Sequence, residues 1–485
     1  MKKLLKKLIP DWLLSLYHWK LALLGAVVYG FPSRKIKVIG VTGTKGKSTV
    51  VMLAGKVLSE IQNTKSPLTP PKGGEGLPPF REGGGGFSPK VGWISSLTIF
   101  DGQNEVMNPF HMTMPGRFFI QKTLAQMVKN GCQYALVEVT SEGIKQSRHR
   151  FIKWAGAVFT NLAPEHLEAH GGFENYRAAK MKLFQAAAKN KESFGVYNLD
   201  DENVKWFQKY PVGKKYGYGA LSKEILKDHF ATLVMTDVKL SASGSEFKIN
   251  NTQFKINLLG EFNVYNCAAA AAVGMACEIS PEESSRALAK VLAIPGRLEL
   301  INEGQPFSVI VDLAHTPDSY EKVFRLFNEL KNSSSPQTRG GLRWGDENKN
   351  IITSPGPSST EEGRQRPRII SVFGSAGGGR DKWKRPELGR LASQYSDQLF
   401  ITNEDPYDED PLTIANEILA GCDEAKTDII LDRRSAIARA LSLARTGDIV
   451  LILGKGTEQT YVEGNKKSAW DDRVVTREEI NKLVP

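Results

Sequence analysis

The run VIGVTGTKGKSTVVMLAGKVL, residues 38–58, leaves few options for the chain around it. A β-branched stretch enters a glycine turn at Gly43 and leaves at Lys47 as a helix pattern, and a buried strand feeding a helix satisfies both periods. In that setting the glycines let backbone N–H groups turn toward phosphate oxygens, and the helix N-terminus adds a favourable dipole. Gly43, Thr44, Lys45, Gly46, Lys47, Ser48 and Thr49 therefore form a candidate ATP-binding loop. Lys47 would offset β/γ-phosphate charge and the Ser48 hydroxyl would hold Mg²⁺. Val41 stands where the common form of this loop has its first glycine, and a glycine-rich turn that binds no nucleotide is the bland alternative.

Seven further short apolar runs, YALVEVT, GAVFTNL, FGVYNLD, FSVIVDLAH, RIISVFG, DQLFITN and DIVLILG, read as buried strands followed mostly by helical segments. The expected fold class is α/β: a P-loop central domain with a mostly parallel sheet plus a C-terminal Rossmann-like α/β domain. A chain of 485 residues exceeds what one core supports, so two or three domains are expected. Ligands of such sheets lie beyond the carboxyl ends of the strands. Residues 64–90 and 333–368 are rich in Pro, Gly, Ser and charge and read as disordered insertions within domains.

The formal charge of +11 is spread along the chain without a nucleic-acid motif, so no nucleic-acid partner is expected, and an anionic substrate or membrane surface accounts for it. Cys132, Cys267, Cys277 and Cys422 have neither zinc-ribbon nor disulfide-framework spacing, which fits a reducing cytoplasm. Met1–Lys7 is basic and Trp12–Phe31 largely apolar, interrupted by His18 and Lys20. Two readings stand side by side, an interfacial anchor giving a peripheral membrane contact and an amphipathic helix packed on the protein, with a true span as a third.

The motifs TGTKGKST, TMPGRFFIQKTLAQMV, VEVTSEGIKQSR, VFTNLAPEHLEAHGGFENYRAAKMKLF, LLGEFNVYNCAAAAAVG, IPGRLELI, VIVDLAHTPDSYEKV, SVFGSAGGGRDKWKRPELG and LILGKGTEQ occur in the order seen in the Mur ligases. The chain most resembles the UDP-N-acetylmuramoyl-tripeptide synthetase branch of that family, from about Lys35 to the C-terminus. The resemblance implies an ATP-dependent ligase of cell-wall synthesis that adds an amino acid, diaminopimelate or lysine, to a muropeptide acceptor through an acyl phosphate. It also implies a cytoplasmic monomer of three parts: residues 1–34, a central domain 35–297 and a C-terminal domain 298–485.

Residue by residue, the resemblance makes Glu138 and His166 metal ligands with Ser48, and gives Lys180 a carbamate that turns a cation into an anionic ligand. Lys47, Lys180 and His166 would be catalytic. Asn266 would meet adenine, with Asn263 near it, while Arg297 would contact phosphate and Asp312 the ribose, with His315 nearby. Domain closure would then exclude water from the acyl phosphate. Arg380 would hold the amino acid's carboxylate, and Gly454 and Glu458 its side-chain end. Thr113, Ser141 and Arg148 would contact the acceptor. On composition alone Lys180 would be an ordinary solvated lysine.

Two departures stand out. Diaminopimelate-specific members carry Asp-Asn-Pro-Arg where this chain has Glu404-Asp405-Pro406-Tyr407, so the amino acid stays open. The family's N-terminal UDP-holding domain has no counterpart in the roughly forty residues before the loop, so the acceptor is expected to be held by two domains alone or to be lipid-linked. Other Mur-type ligases, acting on folyl or poly-amino-acid acceptors, and a non-catalytic nucleotide-binding membrane scaffold are the competing readings.

Overall fold

Strand β1 (Lys37–Thr42) is buried at every position after Lys37 and runs parallel between β5 (Cys132–Glu138) and β6 (Trp154–Phe159). Covered on both faces, such a strand reads as a continuous apolar run, and each fully buried Val or Ile contributes about 1.5–3 kcal/mol. A side chain at Gly40 would meet Leu183 and Trp154, which brings the helix Phe173–Ala187 directly onto one face. Gly55 of the helix Lys47–Ser59 lies against Trp93 and Leu136 in the same way on the other face. That second helix packs on Glu261–Ala276, whose Ala268–Ala272 run is buried throughout.

The computed structural model describes residues 10–60, 90–110, 113–165, 170–220, 230–241, 244–333, 366–379, 381–464 and 466–483. Both long insertions fall mostly outside these residues, as do Met1–Lys7, His166 and Arg380. The chain divides into two compact units. One comprises Met1–Val238, Glu246–Ile256 and Glu261–Val291, the other Lys239–Ser245, Asn257–Gly260 and Leu292–Pro485.

The first unit is built on an eleven-stranded sheet in the order β11-β10-β9-β8-β7-β6-β1-β5-β2-β3-β4. Its remaining strands are β2 (Lys90–Ile94), β3 (Thr98–Phe100), β4 (Glu105–Met107), β7 (Phe194–Asn198), β8 (Lys214–Gly219), β9 (Phe230–Ser241), β10 (Gly244–Ile249) and β11 (Thr252–Ile256). From β2 to β9 the neighbours pair in parallel; β2–β3 and β3–β4 are antiparallel. The second unit carries a six-stranded sheet of β12 (Glu299–Ile301), β13 (Ser308–Asp312), β14 (Ile369–Phe373), β15 (Gln398–Ile401), β16 (Thr427–Ile429) and β17 (Ile449–Leu453), ordered β12-β13-β17-β14-β15-β16. All its pairs are parallel except the edge strand β12. A hairpin of β18 (Thr460–Glu463) and β19 (Lys466–Ala469) follows. The eight runs singled out in the sequence are thus strands of two largely parallel sheets, as the α/β reading requires.

The N-terminal apolar run forms the helix Asp11–Val28. It packs through Ala22, Gly25 and Ala26 on the helix Arg117–Lys129, with Gly25 close to the Phe118 backbone, and Trp19 meets Phe151 edge-on. Leu13, Leu16, Tyr17, Leu24, Val27 and Val28 remain exposed on a stripe of helical period. Among the described residues no helix is long and apolar enough to cross a membrane.

Candidate active site

At the carboxyl end of β1 the chain makes the turn foreseen in the sequence. Gly43 and Gly46 both have positive φ, at 152° and 80°, and a side chain at either would collide, with Thr160 at Gly43 and with the Asn266 amide oxygen at Gly46. The loop is fastened to the segment after β6: Thr44 N donates to Asn161 O at 2.8 Å and Lys45 N to Asn161 Oδ1 at 2.9 Å. Thr160 Oγ1 donates to Lys45 O at 2.7 Å. Ala163 N donates to Thr44 Oγ1 at 3.0 Å, and Lys45 Nζ pairs with Glu165 at 2.8 Å.

Ser48 and Glu138 are ninety residues apart and meet because β5 lies beside β1. Ser48 Oγ donates to Glu138 Oε2 at 2.8 Å, and the same oxygen accepts Ser96 N at 2.8 Å, with Ser96 Oγ 2.6 Å from Ser48 Oγ. Glu138 is 2% exposed. Lys47 Nζ donates to Thr44 O at 2.7 Å, so the cation sits over the loop it belongs to.

Lys180, on the helix Phe173–Ala187, is also 2% exposed. Its Nζ donates to Gly43 O at 2.6 Å and lies over the Tyr176 ring at 4.5 Å. Burial first, then the positive charge of Lys47, pushes its amine well below the usual lysine range, only partly offset by Glu165 and Glu138. Lys182, two residues on, is exposed. Asn266 and Asn263 are both buried on Glu261–Ala276; Asn266 Nδ2 donates to Asn263 Oδ1 at 3.0 Å while its carbonyl backs onto Gly46.

These contacts create a hard-oxygen site at the loop, Ser48 Oγ and Glu138 carboxylate. Mg²⁺ suits such a set because it takes one or two protein oxygens and completes its shell with phosphate and water. No cluster of three or more His, Cys, Asp or Glu that could hold a metal occurs among the described residues.

Thr113 precedes the helix Arg117–Lys129, Ser141 is the buried first residue of the helix Ser141–Lys145, and Arg148 is buried just beyond it.

In the second unit the predicted residues that are described gather at or near the carboxyl ends of β13, β15 and β17. Asp312, ending β13, accepts Leu298 N and Ala314 N at 2.7 Å each. Burial pushes its carboxyl up, while the Arg297 guanidinium and these N–H groups pull it back. Arg297 is half-buried, and Nδ1 of His315 donates to Leu313 O at 2.8 Å. Glu404, beyond β15, is buried with one carboxylate oxygen lacking a hydrogen-bond partner, and that oxygen approaches Gly454 closely enough to exclude a side chain there. Burial raises this carboxyl to about 7 against the pull of Lys455.

Asp405 Oδ1 accepts from Lys455 Nζ and from Val462 N, both at 2.9 Å. Lys455 also meets Glu458 at 3.1 Å. The negative charge of Asp405 is therefore offset by a lysine that is wholly buried. Tyr407 has φ 53° and is fixed by Gly464 N donating to its carbonyl at 2.6 Å. Arg385, with its side chain fully buried, binds Glu409 at 3.0 Å and Glu417 at 2.5 Å, and Glu409 in turn accepts Gly379 N at 2.5 Å.

Sequence reasoning passed over Ser96, Glu165, Tyr176 and Lys455. Ser96 and Glu165 each follow a strand run by a few residues, which is the signal that could have found them; Lys455 offered none, being a lysine inside a glycine-rich motif.

Residues 41–274 match the Mur ligase middle domain family and residues 358–456 the Mur ligase, glutamate ligase domain family. A UDP-N-acetylmuramoyl-L-alanyl-D-glutamate--2,6-diaminopimelate ligase of Syntrophomonas wolfei is 32% identical over 465 residues, covering 94% of this chain and 81% of its own. The chain belongs to the Mur ligase family. A UDP-N-acetylmuramyl-tripeptide synthetase of Borreliella afzelii is 34% identical over 467 residues, 94% of this Mur ligase and 79% of the relative. Among solved structures, a UDP-N-acetylmuramoyl-L-alanyl-D-glutamate--2,6-diaminopimelate ligase superposes with a TM-score of 0.56 at 25% identity, over 92% of this chain and 79% of that one. Mycobacterium tuberculosis folylpolyglutamate synthase reaches a TM-score of 0.61 at 14% identity, covering 96% of this chain and 94% of its own, a likeness of fold. This Mur ligase is an ATP-dependent enzyme, and its relatives are ligases of peptidoglycan synthesis.

Proposed function

We propose that this Mur ligase joins a diamino acid, lysine or diaminopimelate, to the terminal carboxylate of a UDP-N-acetylmuramoyl-L-alanyl-D-glutamate acceptor. The observation that carries the reading is the convergence on one loop of Lys47, the Ser48–Glu138 pair and the buried Lys180 amine. An acceptor carboxylate and an ATP γ-phosphate repel each other, so the site must supply positive charge before an acyl phosphate can form. Lys47 would turn from Thr44 O onto the phosphates; Ser48, Glu138 and His166 would hold Mg²⁺, which would supply positive charge against the developing negative charge. The carboxylate oxygen attacks the γ-phosphorus and ADP leaves. The amino acid's α-amine then attacks the acyl carbon, phosphate departs and a proton is lost to water, leaving the amide.

Lys180 enters as a carbamate in this reading. A neutral amine is the form that attacks CO₂, and burial beside Lys47 shifts Lys180 toward that form. Attack forms the N–C bond, moves one C=O electron pair onto oxygen and releases one N–H proton. The product is an anion where a cation would repel Lys47 and Mg²⁺.

Asn266, Arg297, Asp312 and His315 are assigned to the nucleotide, Thr113, Ser141 and Arg148 to the acceptor, and Arg380, Glu404, Asp405, Tyr407, Gly454 and Glu458 to the amino acid. Domain boundaries are placed near residues 34 and 297, and the enzyme acts as a cytoplasmic monomer. The exposed stripe of the helix Asp11–Val28 supports a second reading of the acceptor, a lipid-linked muropeptide met at the inner membrane surface.

The deciding experiment is phosphate release with ATP, Mg²⁺ and UDP-N-acetylmuramoyl-L-alanyl-D-glutamate, comparing L-lysine, meso-diaminopimelate and no amino acid, with Lys47→Ala as control. Release stimulated by one amino acid and lost in the variant supports the ligase. Stimulation only with a lipid-linked acceptor in vesicles selects the second reading, and none with either acceptor overturns both.

A further inference from the structure

Arg117 was given no role by its motif, yet it sits among the acceptor residues. It is the first residue of the helix Arg117–Lys129, four residues beyond Thr113. Its Nε and Nη2 donate to the backbone carbonyl of Gln146 at 3.0 and 2.8 Å, and Nη2 also meets Nδ1 of His18 on the helix Asp11–Val28. Arg148 grips the same glutamine from the other side: its Nη2 donates to Gln146 Oε1 at 2.6 Å and its Nη1 to Met114 O. Gln146 is the C-cap of the short helix that Ser141 opens. One residue thus brackets two guanidiniums between the Thr113 segment and the Ser141 helix.

Holding two arginines together has a cost. Arg148 is 7% exposed, and burial followed by the charge of Arg117 lowers its proton affinity. Burial lowers that of half-buried Arg117 as well. Glu142 partly offsets Arg148, and it also accepts from Gln146 Nε2 at 2.6 Å. Arg117, by contrast, hydrogen-bonds only to the Gln146 carbonyl and His18, and no carboxylate among the described residues pairs with it. Its Nη1 makes no hydrogen bond there. A planar donor fork with open N–H groups beside a second guanidinium is an arrangement that an oxyanion completes, by bidentate charge-assisted hydrogen bonds.

We propose that Arg117 is a binding residue for an oxyanion of the acceptor, acting with Arg148. His18 buttresses it from the N-terminal helix. The proposal rests on the acceptor reading above and adds a residue and a chemistry to it. The anion is a carboxylate or phosphate of the acceptor that is not consumed in the reaction, so its loss weakens binding more than turnover.

The test is the acceptor dissociation constant, measured by calorimetry on the full chain without ATP, together with KM for each substrate. Arg117→Ala should weaken acceptor binding and raise acceptor KM by about 10-fold or more, with ATP and amino-acid KM within about 2-fold, and Arg117→Lys should recover part of the loss. Arg117→Gln, which keeps hydrogen bonding to Gln146 without charge, serves if the alanine variant unfolds, and it should bind as weakly. Repeating the titration with N-acetylmuramoyl-L-alanyl-D-glutamate, which lacks UDP, separates the sources: a penalty that persists identifies the carboxylate, one that vanishes the diphosphate. Unchanged acceptor binding in Arg117→Ala and Arg117→Gln overturns the proposal. Wild-type binding without turnover overturns the proposed reaction and leaves this assignment standing, whereas no wild-type binding at all overturns both.

Discussion

Lys180 Nζ lies 2.6 Å from the carbonyl oxygen of Gly43, the first glycine of the phosphate-binding loop, although 137 residues separate them. A buried amine aimed at that loop is a poor cation and a good nucleophile toward CO₂, and the loop feels whichever charge it carries.

Replacing Lys180 with alanine should lower kcat by at least about 100-fold, as loss of a group around a metal commonly does. Acetate or formate in the buffer should restore part of it by returning a carboxylate to the gap. Wild-type enzyme in ¹³C-bicarbonate should show a carbamate carbon signal that Lys180→Ala lacks. Identical spectra from the two proteins would remove the carbamate.

Ser48 and Glu138 share one hydrogen bond, and they are expected to share one ion. Glu138→Gln keeps the shape and the Ser48 contact but removes the charge, so the Mg²⁺ concentration for half-maximal phosphate release should rise by about 10-fold or more. An unchanged Mg²⁺ titration at reduced kcat would count against metal binding at Glu138.

Glu404 makes stability depend on pH in an unusual direction. Its folded-state carboxyl titrates near 7 instead of the ordinary 4.5, so between those values the folded state holds the extra proton. Stability therefore falls as pH rises through that window, and at pH 8 the ionised group costs on the order of 3 kcal/mol. Glu404→Gln should melt above wild type at pH 8, with the advantage shrinking toward pH 4.5. A melting difference independent of pH would show that the side chain ionises freely.

Tyr407 is held in its positive-φ conformation by backbone bonds to the hairpin, Tyr407 N to Val462 O and Gly464 N to Tyr407 O, so its side chain can be exchanged without unfastening the turn. Tyr407→Arg should shift the kcat/KM ratio toward meso-diaminopimelate over lysine by about 10-fold or more, because a guanidinium meets the extra carboxylate in bidentate fashion. An unmoved ratio would place selection elsewhere.

The sequence carried the large-scale architecture because buried parallel strands are apolar at nearly every position, as β1 and β17 are. Single-strand reading missed β2, β3, β4, β8 to β12, β16, β18 and β19: β3, β4, β12 and β16 are only three residues long and present too little pattern to register, while β8 to β11 mix charged and polar residues into their runs. The loop and its lysine were legible because strand, glycine turn and helix lie together in the chain. The Ser48–Glu138 meeting was legible only through resemblance, since it depends on strand order and no local pattern states that β5 lies beside β1. Lys455 was opaque for a different reason: lysine is ordinarily a solvated residue, and only the completed fold shows Asp405 and Glu458 gathered around this one.

The two long insertions enter the fold at equivalent places. Residue 90, the last of the first, begins β2, and residue 369, just past the second, begins β14, both strands parallel to their neighbours β5 and β15. The catalytic candidates sit at the opposite, carboxyl ends of these sheets. Chain length in this enzyme can therefore drift over evolutionary time at one rim of each sheet while the other rim stays under chemical constraint, so that two copies differing by dozens of residues could still run the same reaction.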